Sequence, residues 1–462
     1  MANLERTMFR EYDIRGRETE KELNPDSIEL ISKAYGTFLL KRGINKVVVG
    51  HDNRKTSEEF HKSAIKGLLS TGCRIFDIGV TLTPIFYWSQ YHLKTKGGLM
   101  VTASHNPVGW NGVKLALGYS YTIIGPELEE IYQTIVSENF AKGEGKILGK
   151  KEVFPFYLND IMGRVKITKK FKVVVNTGNG TAGLFFPEVL RKASCDTVEY
   201  LCNLDPSYPK YTPNPADEVM IKDTGRVVVE AGADFGFAMD GDGDRLGLVD
   251  EKGGIIWPDR YMILLSRLVL KKNPGAKIIF DVKCSQALEE DIKAHGGIPI
   301  MWKTGHSYIK QKLSQEKAVL AGEMSGHIFF AKGYYGFDDA SFAALKLLEY
   351  FSTQNKKVSE IIQETPYYVS TPTLHVSCPD EKKYQAVEEL TKEFKKEHRV
   401  IDINGARVLF GDAWGLVRAS SNLPVLVLRF EAKTQKRLEE IQNIFKEKLN
   451  RFDFVGKEWS AG

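Results

Sequence analysis

Short, wholly apolar runs recur along the chain, separated by turns and by stretches whose apolar positions fall three and four residues apart. Val47-Val48-Val49, Phe171 to Asn176 (FKVVVN) and Ala276 to Asp281 (AKIIFD) show no polar alternation. Such runs predict strands buried on both faces, as in parallel sheets. Each is followed by a polar turn and a helical stretch. The turns are Gly50 to Arg54 (GHDNR), Thr177 to Gly180 (TGNG) and Val282 to Ser285 (VKCS). After the first turn, Thr56 and Glu59 read as a capping box for a helix that carries Phe60, Ala64 and Leu68 inward. Upstream, Asn24-Pro25-Asp26-Ser27 opens a helix with Ile31, Tyr35, Phe38 and Leu39 on one face, ended by Gly43. Phe9 to Gly16 reads as a short strand that exposes Tyr12 and Arg15, and another strand lies near Ile75 to Ile78.

In all three stretches a later strand runs into an unusual polar loop. Gly98 to Val101 leads into Thr102 to Pro107 (TASHNP). Phe235 to Met239 leads into Asp240 to Arg245 (DGDGDR). Ala318 to Leu320 leads into Gly322 to His327 (GEMSGH). The repeat predicts three related mixed α/β domains, each presenting one loop from the end of the sheet where open α/β folds place ligands. The last hundred residues differ. A polar helix covers Glu381 to Lys396, Val400 to Phe410 reads as a hairpin turning at Asn404-Gly405, two strands flank Arg418 to Asn422, and a helix runs from Thr434 to Leu449. This is a small α+β domain. Joints at Lys142 to Lys151, Asp250 to Gly254 and Glu364 to Thr371 divide the chain into domains at 1–150, 151–254, 255–367 and 368–462.

A chain of 462 residues is too long for one core, in keeping with that division. The net charge of +5 is spread along the chain, which is weak evidence for nucleic acid and is compatible with an anionic small substrate. The five cysteines form no close metal-binding pair, and we read them as reduced thiols in a cytoplasmic protein. Residues from Glu5 onward are charged, with no signal peptide, and no apolar stretch approaches membrane-spanning length.

Ser104 beside His105, at the tip of a strand and before a proline, is a candidate nucleophile. Asp240, Asp242 and Asp244 alternate with glycines. Carboxylates this close repel one another unless a cation sits among them, and hard oxygen ligands favour Mg2+, with Ca2+ or Mn2+ as alternatives. An EF-hand is excluded because Arg245 stands where that loop needs glycine. Arg245 adds a cation for a phosphoryl oxygen. A serine next to such a metal suggests phosphoryl transfer through a phosphoserine. Glu323 can accept hydrogen bonds from vicinal hydroxyls, and Ser325 and His327 share its loop. Arg418, Ser420, Ser421 and Asn422 combine one fixed cation with hydroxyl and amide donors, a composition that suits phosphate.

TASHNP, DGDGDR, GEMSGH and the Arg418 loop, in this order and spacing, resemble the α-D-phosphohexomutases over essentially the whole chain. The closest match is the bacterial phosphomannomutase/phosphoglucomutase branch. The resemblance implies four domains around a central cleft. It implies a cytoplasmic isomerase of carbohydrate metabolism that interconverts hexose 1-phosphate and hexose 6-phosphate, of mannose or glucose, and is activated by hexose 1,6-bisphosphate. It further implies that Ser104 is phosphorylated and, with Asp240, Asp242 and Asp244, holds Mg2+. Glu323, Ser325 and His327 would read the sugar, and Arg418, Ser420, Ser421 and Asn422 would hold the phosphate that does not react. Tyr12, Arg15, His105, Lys114, Arg245, Lys283 and His306 would line the cleft, with Arg15, Lys114 and His306 as proton-transfer groups. The expected partner is a phosphosugar, not nucleic acid or membrane, for a monomer or small homo-oligomer. A phosphoglucosamine mutase is the alternative; its sugar loop usually carries Gln where this chain has Met324. A metal-dependent phosphatase and a non-catalytic sugar-phosphate binder are further rivals.

Overall fold

A computed structural model describes residues 4–420 and 423–461. The chain divides into two compact units, Met1–Tyr261 with Ser325–Glu360, and Met262–Met324 with Ile361–Gly462.

In the first unit, strands β1 (Ile14–Arg17), β2 (Lys46–His51), β3 (Arg74–Val80), β4 (Gly97–Val101), β5 (Trp110–Leu117), β6 (Tyr121–Thr122) and β7 (Lys146–Lys150) form one sheet. Its order is β1-β5-β4-β2-β3-β7, with β6 on β5. The apolar run Val47-Val48-Val49 lies in β2 at the centre, fully buried and parallel to both neighbours. Helix α1 (Pro25–Leu40) starts where Asn24 and Ser27 cap one another, and its Ile31, Tyr35, Phe38 and Leu39 are buried as their spacing requires. Helix α2 (Ser57–Ser70) forms without the expected capping box. The Thr56 hydroxyl instead donates to Glu18 at 2.7 Å and accepts from Asn111 at 2.9 Å, and Glu59 is exposed. Tertiary partners have taken the local cap. A helix that the periodicity did not announce, α3 (Thr83–His92), follows β3; Ile85, Phe86, Tyr87 and Trp88 are all buried, so it shows no polar face to read. The stretch proposed as the first joint contains β7, which pairs in parallel with β3.

The second sheet repeats the plan. Strands β8 (Lys172–Asn176), β9 (Asp196–Tyr200), β10 (Phe235–Met239), β11 (Leu246–Asp250) and β12 (Ile255–Ile256) run in the order β12-β11-β10-β8-β9. Again the apolar run is central, with β9 and β10 parallel on its two sides. Asp250 to Gly254 is a tight turn between β11 and β12, where Asp250 Oδ1 accepts from the Lys252 and Gly254 N–H groups.

The second unit holds the third repeat, with β13 (Lys277–Asp281) parallel to both β14 (Ile298–Trp302) and β15 (Leu320–Gly322). After it the chain re-enters the first unit through β16 (Ile328–Phe330) and the buried helix Ala340–Ser352, capped by Asp339. Back in the second unit come β17 (Val369–Ser370), β18 (Leu374–Ser377), β19 (Arg399–Ile401), β20 (Ala406–Leu409), β21 (Ala413–Ala419), β22 (Val425–Ala432) and β23 (Ser460–Ala461). They make an antiparallel sheet of order β19-β20-β21-β22-β18-β23, with β17 on β22. The β19–β20 hairpin spans Asp402 to Gly405, a four-residue connection rather than the two-residue turn that Asn404-Gly405 suggests. One face of the sheet packs Val417, Leu426, Leu428 and Phe430 against the helices Asp380–Phe394 and Gln435–Leu449.

The opposite face grips the turn after β13. Arg407 is fully buried with its guanidinium 3.7 Å from the Trp414 ring centre, and donates at 2.7 Å to the carbonyls of both Val282 and Cys284. Arg429 donates to the Lys283 carbonyl. Glu431 accepts from the Trp414 indole and from the Gln286 backbone N–H, each at 2.8 Å. Burial pulls the Arg407 guanidinium down to about 10. The third sheet and the antiparallel sheet therefore share one interior. The joint at Glu364 to Thr371 is tied into it, because β17 pairs with β22 and the Tyr368 hydroxyl donates to Glu290.

Arg407→Met would remove the donors that Arg407 gives to the Val282 and Cys284 carbonyls. Urea denaturation should show a loss of about 1–3 kcal/mol, the usual cost of an unsatisfied buried polar group; an unchanged midpoint would mean that the apolar contacts alone hold the turn.

Candidate functional site

Strand β4 delivers Ser104 into a loop whose conformation is strained. Ser104 is 2% exposed and has φ +54°, a left-handed conformation costing an L-residue about 1–2 kcal/mol. The surroundings that enforce it are two guanidinium groups and a threonine. Thr102 Oγ1 accepts from the Ser104 N–H at 2.9 Å. Buried Arg54 donates to the carbonyls of Ser104 (2.8 Å), Asn106 (2.5 Å), Pro107 (3.0 Å) and Trp110 (3.1 Å). Behind it, Asp52 Oδ2 lies 3.4 Å from Arg54 Nε, while Asp52 Oδ1 accepts from the Ser57 hydroxyl at 2.5 Å. Arg15, reaching over from β1, is fixed by Asp13 at 2.6 Å and donates to Asn106 Oδ1 at 2.6 Å and to the Ala103 carbonyl at 3.1 Å. Tyr12 is half-buried just ahead of that strand.

Strand β10 delivers the three aspartates to the same place, all fully buried. Two glycines make the approach possible. A Cβ on Gly241 would lie 2.5 Å from the Ser104 carbonyl oxygen, and Gly243 has φ +72°. Asp240 Oδ1 accepts from the N–H groups of Asp244 and Arg245 at 3.1 Å, and its Oδ2 accepts from Ser104 Oγ at 2.9 Å. Asp242 Oδ2 accepts from the Thr83 hydroxyl of α3 at 2.6 Å and from Lys114 Nζ at 2.8 Å. Lys114, on β5, also donates to Asp244 Oδ2 at 2.6 Å. The second oxygens of Asp242 and Asp244 are buried without a hydrogen-bond partner among the described residues.

The charges follow from this packing. Burial, then Asp244 and Asp242, push the Asp240 carboxyl well above the ordinary carboxylate range. Burial pulls the Lys114 ammonium down, but Asp242 and Asp244 more than reverse it and hold the lysine well above its usual value. Burial, then the Arg245 and Arg15 charges, hold His105 well below the ordinary histidine range, so its ring is neutral. His105 Nδ1 lies 3.1 Å from Ser104 Oγ. The one hydroxyl proton can serve either His105 or Asp240, and the residue it does not serve is left to accept or donate in turn. Three carboxylates facing one ammonium, with two orphaned oxygens and ligand atoms within 4.8 Å of one another, form a donor set that fits a divalent cation.

Arg245 is aimed by a second row of residues. Its Nε donates to His327 Nε2 at 3.1 Å. The ring must then carry its proton on Nδ1, which faces Asp338 Oδ2 at 2.9 Å and Asp244 Oδ1 at 3.6 Å. His327, expected at the sugar, is thus 4% exposed and tied to Arg245 and Asp338.

In the second unit, Asp281 stands at the end of β13. Asp281 accepts from the Thr304 hydroxyl at 2.8 Å and the Met324 N–H at 3.0 Å, and lies 3.6 Å from Lys283 Nζ. Glu323 is buried, with Oε1 accepting from the Gly305 N–H at 2.6 Å. His306 is buried as the first residue of its helix. Arg418 is a residue of β21 itself rather than of the loop after it, and is 7% exposed. Ser420 follows, half-buried. Ser421 and Asn422 lie outside the described residues. Ser325 is half-buried where the chain passes back into the first unit.

Arg54, Thr83, Asp281 and Asp338 were not singled out in the sequence. Only the GHDNR turn carried a trace, since a polar turn after a buried parallel strand is a place for function. Among the described residues, no helix is long and apolar enough to cross a membrane. All five cysteines are free.

Comparison with known proteins covers nearly the whole chain. Residues 6–142, 155–254 and 257–368 match the α/β/α domains I, II and III of the phosphoglucomutase/phosphomannomutase family, and 374–448 match its C-terminal domain. A phosphomannomutase/phosphoglucomutase from Pseudomonas putida is 39% identical, covering 98% of this chain and 97% of its own. A phosphoglucomutase from Neisseria meningitidis serogroup A is 38% identical, covering 96% and 97%. The crystal structure of a phosphoglucomutase/phosphomannomutase family protein from Burkholderia thailandensis superposes with a TM-score of 0.91 at 35% identity, covering 97% of this chain and 98% of its own.

Two outcomes test the geometry. A lysine at position 54 cannot reach four carbonyls, so Arg54→Lys should lower kcat about 10²-fold through misplacement of Ser104, with circular dichroism unchanged; wild-type kcat would remove Arg54 from the loop's support. Lys114→Met strips the buried carboxylates of their ammonium and should destabilise the metal-free protein by about 3–5 kcal/mol. Scanning calorimetry should then show a larger Tm gain with Mg2+ for this variant than for wild type, because a cation that binds the folded state stabilises it. Equal gains would mean that the lysine and the metal do not share these carboxylates.

Proposed function

The chain belongs to the phosphoglucomutase/phosphomannomutase family of α-D-phosphohexomutases, and we propose that it interconverts hexose 1-phosphate and hexose 6-phosphate, of mannose, glucose or both, through a phosphoserine at Ser104. The observation that carries this reading is the strained Ser104, whose hydroxyl lies 2.9 Å from the first of three buried aspartates.

Ser104, Asp240, Asp242 and Asp244 would hold Mg2+. When bound, the ion supplies positive charge to the phosphoryl oxygens. In the first half-reaction the P–O bond to Ser104 breaks and a P–O bond forms to the free hydroxyl oxygen of the hexose. That hydroxyl's proton passes to a neighbouring base, and the serine oxygen is released as the leaving group. Arg245 and Lys114 stabilise the phosphoryl oxygens in transit. His105, neutral at rest, is placed to take the proton from Ser104 Oγ when the serine attacks, and the imidazolium so formed is placed to return it when the serine leaves. Arg15, Lys114 and His306 are the proposed proton-transfer groups at the sugar. Glu323 and Ser325 read the hydroxyls. Lys283, Arg418, Ser420, Ser421 and Asn422 hold the phosphate that does not react.

One phosphoserine must serve two oxygens on opposite sides of the ring. The hexose 1,6-bisphosphate intermediate therefore turns over between half-reactions, and the distal-phosphate site meets each phosphate in turn. The four functional segments, 1–150, 151–254, 255–367 and 368–462, would contribute the phosphoserine loop, the metal loop, sugar recognition and phosphate binding respectively.

Two measurements test the reading. Isomerisation of glucose and mannose 1-phosphates, coupled to detection of the 6-phosphate, should require Mg2+ and a trace of hexose 1,6-bisphosphate. Glucosamine 1-phosphate should be the poorer substrate, and release of phosphate in excess of isomerisation would point to a phosphatase instead. Intact mass after incubation with the bisphosphate should show one added phosphoryl group, absent from Ser104→Ala; equal labelling of that variant would refute the phosphoserine.

A further inference from the structure

His375 is a residue the functional reading leaves unused. It lies on β18, directly opposite Val427 of β22, and Val427 is directly opposite Arg418 of β21. On the other side His375 is opposite Ser460 of β23. Residues paired across antiparallel strands share a face. Arg418, Val427, His375 and Ser460 therefore form one lateral row. The row lies on the face away from the two covering helices, whose partners on β22 are Leu426, Leu428 and Phe430.

The face is cationic at this point. Arg418 is 7% exposed, and its Nε is buried without a hydrogen-bond partner among the described residues. Lys283 is brought to the same sheet face by Arg429, which holds its carbonyl. The charged groups that act on His375 are Lys283 and Arg418, with Asp281 paired to the lysine. His375 itself is half-buried, so one side of the ring stays open. A cluster of two cations and an imidazole, with a buried guanidinium left unmatched by any carboxylate among the described residues, is incomplete without an anion.

We propose that His375 is a further phosphate-binding residue of this chain, joining Arg418 and Lys283 on the non-transferring phosphoryl group of the hexose phosphate, and that it binds in its protonated form. This rests on the mutase reading for the identity of the ligand. Before an anion arrives, burial and then the Lys283 and Arg418 charges keep the ring below the ordinary histidine range. A phosphate dianion reverses the sign of the local field, so the ring takes up a proton as the ligand binds. With the phosphate bound, the ring holds that proton at the lower pH and the contact is complete. As pH rises the proton is lost and affinity falls.

The test separates a binding role from a structural one. KM for glucose 1-phosphate is compared in wild type, His375→Asn and His375→Lys at about pH 6 and about pH 8.5, either side of the histidine range. His375→Asn should raise KM about tenfold at the lower pH and about twofold at the higher. His375→Lys, charged at both, should restore a low KM at both. The same change at both pH values, or none, would overturn the proposal. Calorimetric titration of glucose 6-phosphate in buffers of different ionisation heat reads the contact without turnover. Wild type should take up more protons on binding than His375→Asn, and equal uptake would also overturn it. If wild type isomerises nothing, the mutase reading fails, and the calorimetric comparison still decides for or against His375.

Discussion

Three carboxylates buried side by side cannot all keep their charge unless cations come to them, and much of the first unit is arranged to bring those cations. Lys114 supplies one from β5, bonded to Asp242 and Asp244. Arg245 supplies another, aimed by His327 and Asp338. Thr83 adds a neutral donor from α3. Asp240, which gets no direct ion pair shorter than 3.9 Å, is the one pushed up, and it is the one that holds the serine.

Guanidinium groups on carbonyls are the second recurring device. Arg54 gathers the serine loop by four carbonyls, and Arg407 and Arg429 gather the Lys283 turn by three. A planar fork of donors fixes several backbone groups at once, which a lysine cannot do. Loops with few apolar contacts of their own become as well placed as strands.

The three repeats were legible because their central strands are uninterrupted apolar runs, and each polar loop follows a parallel neighbour of that strand. The chemical loops were legible because carboxylates separated by single glycines, or a serine-histidine pair before a proline, are rare on ordinary surfaces. What escaped has physical causes. Helix α3 and the helix Ala340–Ser352 are buried on nearly every side, so neither shows a polar face to give a period. The capping box at Thr56 and Glu59 was locally sound and lost to Glu18 and Asn111, partners distant in sequence. Arg54 acts on carbonyls about fifty residues away, and no backbone carbonyl has a signature in sequence. Lys146–Lys150 read as a linker because it is exposed and charged, yet it adds an edge strand to the first sheet.

The grip of the antiparallel sheet on residues 282–286 bears on how this chain could be recombined with its relatives. The connection at Glu364 to Thr371 looks like the place to cut when grafting one protein's C-terminal segment onto another's body. A graft made there would part Arg407, Arg429, Trp414 and Glu431 from the turn they were fitted to, and would set a fully buried guanidinium against foreign backbone. The heritable module in this half of the molecule is discontinuous. It comprises the turn after β13 together with the sheet that begins about ninety residues later, and a donor sequence has to be carried across as that pair.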